Sequence, residues 1–449
     1  MSVPAMLTGN TKVAKTPTNS KSWGLVVLLL IFFTMNFADK AAVGLASEQI
    51  RESMNLNAAQ YGMLSSAFFW LFAVGAVVLT AVLKRISYNW AAGILMLTWI
   101  MSMLPITVPT TFGVLLTSRI LLGFFESPAH ALVQSILHER FPPEKRALAG
   151  AIVNSGSSVG PLLAAPALTW VILTWDWHAS FILLSAISIL WLIVWMAYAD
   201  KLPFFKPKTM AHAKQDVYDS NADINVPFSR LLMSRSFWGL AALSFSGYLI
   251  SSLKVTWLPA FLHEGLGYSS ETVGLLVPIP YAVAIIILIS AGVISGRLLK
   301  RGYSSRVARS FLTAGFLLFS GVCMMLFAEL PPGPLQLVMV VAAFSINSVA
   351  FTVGFAGASD FLPARQRTAF FGCIIAVYSL AGMIAPLGLG IIVELASTPT
   401  EGYANGFFIV GILICIFGVI GGLLLDPARE RERLLLLTKK FEAENALRG

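Results

Sequence analysis

"WGLVVLLLIFFTMNFADKAAVGLA" (residues 23–46) has the length and apolarity of a segment that crosses a bilayer, yet Asp39 and Lys40 stand side by side in its second half. About 20 predominantly apolar residues span the hydrocarbon core. A full charge at mid-helix costs roughly 2.5–3.5 kcal/mol on insertion scales. Two adjacent charges in such a run therefore demand water, a counter-charge or a task.

The rest of the chain has the same character. Of 449 residues 57% are apolar and only 12% charged, with a mean hydropathy of +0.78. Soluble domains carry about twice that charge, so most of this surface must face lipid. Twelve runs are long enough to span: 23–46, 58–83, 90–108, 111–137, 147–173, 178–198, 236–262, 271–299, 306–329, 333–360, 369–396 and 404–425. The reading is an all-α membrane protein of two six-helix bundles, 23–198 and 236–425. A polar loop, 199–235, joins them. A disordered tail, 1–22, precedes them, and an amphipathic or solvated tail, 426–449, follows. The first run is long and lacks a small-residue cleavage site, so it is expected to be a retained helix and not a signal peptide.

Basic residues orient the spans. With a cytoplasmic N-terminus, 27 of the 31 Lys and Arg residues fall in cytoplasmic segments, and Arg51 alone lies in an external loop. That asymmetry expects both termini in the cytoplasm. The halves also echo one another: "RFPPEKRALAG" follows the fourth span and "FLPARQRTAFFG" the tenth. A duplicated layout is that of transporters binding between two repeats. Cys323, Cys373 and Cys415 lie in apolar runs at no metal or disulfide spacing. No basic cluster interleaves with aromatics as nucleic-acid binding requires. The five histidines are scattered and no Ser/His/Asp set can be argued, so an enzyme is not expected.

Five charges lie well inside spans, away from the span ends: Asp39, Lys40, Arg119, Glu126 and Lys254. Facing lipid they would cost on the order of ten kcal/mol together. Arg119 and Glu126, seven residues apart in "SRILLGFFESPAH", share one helical face but stand about 10 Å apart along the axis. Each needs another partner: Asp39 can meet Arg119, or Lys40 can meet Glu126. Pro128 should kink the helix just past Glu126. A purely structural network is a poor explanation, because buried ion pairs stabilise little. A site whose charge changes during a cycle explains the acids better. Three cations against two acids favour an anion, and a planar guanidinium such as Arg119 suits a carboxylate. Asp39 and Glu126, by binding and releasing protons, can couple proton to anion. Lys254 either reaches the anion from the second bundle or snorkels to the interface near Trp257. His130 either shuttles protons or is packed and hydrogen-bonded. Asn36 and Asn347 are candidate polar contacts.

These segments resemble the major facilitator superfamily and, within it, the anion:cation symporters. The resemblance rests on "NFADK" (36–40), "YGMLSSAFFWLFAVG" (61–75), "SRILLGFFESPA" (118–129), "ERFPPEKRALA" (139–149) and "WDWHASFIL" (175–183). It implies proton-coupled uptake of organic carboxylates by a monomer in a bacterial inner membrane, with the proton as coupling ion and no other cofactor. Asp39 and Glu126 match the family's protonation sites and Arg119 its carboxylate-binding arginine. Lys40 replaces an arginine, Phe37 and Phe72 fall where tyrosines are frequent, and Ser157 replaces a glutamine. Each change removes a hydrogen-bonding group, so the expected substrate has fewer hydroxyls than a hexonate. Lys84 and Gly296 occupy positions usually held by aspartates that lock the cytoplasmic side. That expects a less firmly locked outward-facing state. Two other readings remain: an efflux antiporter, weakly supported by "GSSVGPLLAAP" (156–166), and a membrane sensor without flux.

Overall fold

A computed structural model describes residues 20–83, 85–141, 143–199, 221 and 223–446. The expected N-terminal tail up to residue 19, Lys84 and most of the central loop lie outside the described residues. Among those described, twelve helices are long and apolar enough to cross a membrane. They are α1 (Trp23–Leu45), α2 (Ala58–Leu83), α3 (Tyr88–Ile106), α4 (Phe112–Leu137), α5 (Leu148–Thr174), α6 (Trp177–Tyr198), α7 (Arg235–Thr256), α8 (Ser270–Lys300), α9 (Arg306–Glu329), α10 (Pro334–Ser359), α11 (Arg365–Leu395) and α12 (Pro399–Leu424).

Short polar side chains start these helices by taking up orphan backbone N–H groups. Asn57 and Gln60 form a capping box on α2, and Ser234 accepts from Phe237 N at the head of α7. Asp176, in the "WDWHAS" motif, accepts from Ala179 N before α6. The fourth span breaks where Pro128 falls: one helix ends at Glu126 and the next begins at Ala129.

Glycines set how closely helices approach, as expected where lipid supplies no hydrophobic force between them. A Cβ on Gly160 would stand 2.4 Å from the Thr34 carbonyl oxygen, and one on Gly156 would stand 2.9 Å from Thr34 N. This small-residue stripe brings α5 against α1. Between the bundles, α2 packs on α11 and α5 on α8. Under a six-helix offset α2 corresponds to α8 and α5 to α11, so the two contacts exchange by a pseudo-two-fold, in keeping with the duplicated sequence pattern.

The bundles meet most tightly at the end distal to the two termini. A Cβ on Gly44 of α1 would lie 1.9 Å from the Val255 carbonyl oxygen, and one on Gly62 of α2 would lie 2.6 Å from that of Pro386. Tyr61 donates its hydroxyl to the carbonyls of Val43 and Thr256, 3.1 and 3.0 Å away, and Glu394 of α11 accepts from Ala58 N. On the side of the termini, Asn154 and Ser155 of the α5 approach and Gly372 of α11 are exposed. Gly296 has open space around it.

The C-terminal segment is a helix, Pro427–Ala446, docked on the second bundle and not free in solvent. Leu434 is buried, Thr438 accepts from Asn225 N, and Arg431 donates to Asn221, whose amide also reaches the carbonyls of Ser359 and Asp360.

Gly160→Ala is expected to lower stability by about 1–3 kcal/mol, since the added methyl must displace the α1 backbone. Gly315→Ala, in α9 with nothing within 4 Å, should be neutral or slightly stabilising. Thermal unfolding of the purified variants in detergent checks the contrast.

Candidate functional site

Four of the charges inside the spans converge where α1 passes α4. Lys40 Nζ pairs with Glu126 Oε2, and Asn36 binds both: its Oδ1 accepts from Lys40 at 2.8 Å and its Nδ2 donates to Glu126 at 2.8 Å. Of the two pairings open to the sequence, the structure forms Lys40 with Glu126. Asn36 and Lys40 are one turn apart on α1, so they present a single acceptor–donor edge to the carboxylate.

Asp39 and Arg119 sit within electrostatic reach of this knot and of each other. Both are buried, at 3% exposure, and neither is fully bonded. Asp39 Oδ1, Arg119 Nε and Nη1, and Glu126 Oε1 have no hydrogen-bond partner. Arg119 is held by the Phe68 ring, whose centroid lies 5.1 Å from its guanidinium carbon. Lys40 lies 4.8 and 5.0 Å from the rings of Phe37 and Phe68. Such cation–π contacts offset part of the desolvation and leave the N–H groups free.

Gly123 explains how Phe68 gets there. It lies on the same face of α4 as Arg119 and Glu126, and a Cβ on it would stand 1.7 Å from the Phe68 carbonyl oxygen. The bare backbone lets α2 close directly over the charged face.

The second bundle contributes a separate polar group. Lys254 of α7 is buried, donates to Asn347 Oδ1 at 2.7 Å, and lies 4.4 Å from the Tyr281 ring centroid. Asn347 in turn donates to Ser251 at 3.3 Å. Lys254 thus turns inward and does not snorkel toward the interface. No acid pairs with it among the described residues.

Ser157 directs its hydroxyl to the Asn154 carbonyl of its own chain segment, 2.8 Å away, and is half-buried. Phe37 lies 5.3 Å from Phe33, and Phe72 lies 5.7 Å from Phe68. His130, one turn beyond Glu126, is exposed, with its ring 5.8 Å from Phe33.

An aromatic group on the second bundle went unread in the sequence. Tyr248 packs on Tyr378 at 4.6 Å, Phe351 lies 5.2 Å from Tyr378, and Phe69 of the first bundle meets Tyr248 edge-on at 5.5 Å. Tyr248 also lies within electrostatic range of Glu126, which sets this aromatic wall beside the charged knot. No group of three or more potential metal ligands occurs among the described residues.

Two six-helix bundles, closed on each other at one end and carrying incompletely satisfied charges within their spans, define a membrane transporter. The profile of the Major Facilitator Superfamily matches residues 28–328, and the chain belongs to that family. It is a transporter and not an enzyme. It is 24% identical to a hexuronate transporter of Bacillus subtilis (strain 168), over 86% of this chain and 91% of that one. It is 24% identical to a probable galactarate/D-glucarate transporter of Escherichia coli (strain K12), over 91% and 94%. Its fold matches the crystal structure of a bacterial homologue of the human lysosomal transporter Spinster in an inward-facing, unoccupied conformation. The TM-score is 0.74 at 17% identity, with 94% of this chain and 99% of that one covered.

Lys40→Met should destabilise the protein by about 3 kcal/mol near pH 8, because it strands a buried carboxylate. The double variant Lys40→Met/Glu126→Gln should recover most of the loss, because it removes the stranded charge. Unfolding midpoints of the purified variants measure both outcomes.

Proposed function

We propose that this transporter is a proton-coupled symporter that takes up an organic carboxylate by alternating access, with both termini on the cytoplasmic side of a bacterial inner membrane. The observation that carries the reading is Arg119: a fully buried guanidinium with two nitrogens unbonded, beside a carboxylate that already has a partner. A buried cation in that state is costly unless an anion visits it. The relatives named above are transporters of acidic sugars, which fits an anionic substrate.

The geometry supports a coupling role for the acids. Ionised Glu126 occupies Lys40 and Asn36. A proton on Glu126 weakens that hold and frees Lys40 to join Arg119 around an incoming carboxylate. Asp39, next along α1, has a free oxygen within reach of the same cations and acts as the second proton carrier. Proton and anion then load together, because each lowers the cost of the other. Lys254 with Asn347 offers a second polar contact from the other bundle.

The lining limits the substrate class. Phe37, Phe68, Phe69, Phe72, Tyr248, Phe351 and Tyr378 present flat apolar surface beside few free hydroxyls. A carboxylate with an apolar or aromatic body fits this lining better than a fully hydroxylated hexonate. The distal closure, with exposed residues toward the termini, corresponds to the state closed to the outside.

Arg119→Ala should abolish carboxylate binding, and Arg119→Lys should weaken it by about tenfold or more, because the planar fork is lost. Glu126→Gln should keep counterflow exchange and lose proton-driven accumulation. Thermal-shift screening of carboxylates near pH 6, then counterflow and gradient-driven uptake in vesicles of both orientations, reads these outcomes. Undiminished accumulation by Glu126→Gln would falsify the coupling role.

A further inference from the structure

Two ion pairs close the distal end between the bundles, and they differ in chemistry. Arg51, on the short helix Ser47–Met54 of the first bundle, pairs with Glu264 from the π-helical segment Phe261–Gly265 of the second. Tyr403 of α12 donates to the other Glu264 oxygen at 3.1 Å. Arginine stays protonated throughout the physiological range, so its charge is fixed.

The neighbouring pair is not fixed. His263 of the same segment faces Glu48 of the same short helix, with Nε2 2.8 Å from Oε1. Its other ring nitrogen, Nδ1, lies 2.8 Å from the Tyr268 carbonyl oxygen. A peptide carbonyl only accepts, so Nδ1 must carry hydrogen. Glu48 also acts as an acceptor on its second oxygen, to which Ser270 of α8 donates at 3.2 Å. One proton must then lie between Nε2 and Oε1, and with Glu48 ionised it sits on the ring, which is an imidazolium.

The geometry points to a proton-operated latch: protonated His263, bonded to Glu48, holds the distal face shut, and its neutral form lets the bundles part. The closed arrangement holds one proton that the open one does not need, so closure is favoured as pH falls. The charged groups around the ring are Glu48, Arg51 and Glu52 from the short helix and Glu264 beside it, with Ser270 and the adjacent Glu271 on α8. This proton site is separate from Asp39 and Glu126, and the latch concerns conformation only. A transporter of either direction could carry it, so its failure leaves the proposed symport untouched.

Double electron–electron resonance tests the latch on the full chain in lipid nanodiscs. Spin labels go on Val108→Cys and Pro332→Cys, both exposed in distal loops of opposite bundles, in a background with Cys323, Cys373 and Cys415 replaced by Ala. From about pH 8 to about pH 5.5 the ratio of short to long distances should rise about fivefold or more. His263→Gln should flatten that response. So should Glu48→Gln, whose amide can donate to a neutral ring or accept from a protonated one, so that the contact no longer depends on the proton. A response that persists in either His263→Gln or Glu48→Gln, or that is missing from the parent protein, overturns the latch.

Discussion

The contact of Lys40 with Glu126 across α1 and α4 is the constraint on which the site depends. Two charges placed in hydrocarbon must find each other or water, and here they find each other through Asn36. The pairing ties α1 to α4 beside Asp39 and Arg119. Because a buried ion pair adds little net stability over apolar packing, its retention makes most sense as a reversible element. Its exposure agrees with this: the Lys40 side chain keeps 11% of its surface accessible while that of Glu126 keeps none. The cation is the partner that can be approached.

The two bundles divide the chemistry unequally. Both acids within the spans' charged set, with two of the three cations, belong to the first bundle. The second supplies Lys254 with its amide partner and an aromatic wall. A duplicated fold would allow a symmetric site, yet these charges sit almost wholly in one repeat. Under the proposed symport, the asymmetry would separate two tasks: proton exchange in the first bundle, and shape and polarity matching in the second. Movement of one bundle against the other would then assemble or disperse the anion's ligands while the Lys40–Glu126–Asn36 knot stays within a single rigid unit.

The fold was legible because hydrocarbon thickness sets span length and because charges are scarce enough to stand out. The same scarcity marked Asp39, Lys40, Arg119, Glu126 and Lys254. Which acid meets which base was not legible. That choice depends on helix rotation, set by backbone approaches at Gly123 and at Gly156 and Gly160, and a glycine in an apolar run does not say which neighbour it admits. Tyr248, Phe351 and Tyr378 were hidden for a related reason: an aromatic residue in a spanning run reads equally as lipid-facing. Glu48, His263 and Glu264 fall outside the expected spans, and their pairing joins segments more than two hundred residues apart. The π-helical turn that carries His263 and Glu264 has no sequence signature at all.

One further arrangement connects the site to the closure. Gly44 lies one turn beyond Lys40 on α1, and its backbone rests against the carbonyl of Val255, the residue after Lys254 on α7. The tightest glycine approach between the bundles is thus flanked by a partly buried cation, Lys40, on one side and a buried one, Lys254, on the other. Four residues of helix span about 6 Å, so no long relay is needed between charge and gate.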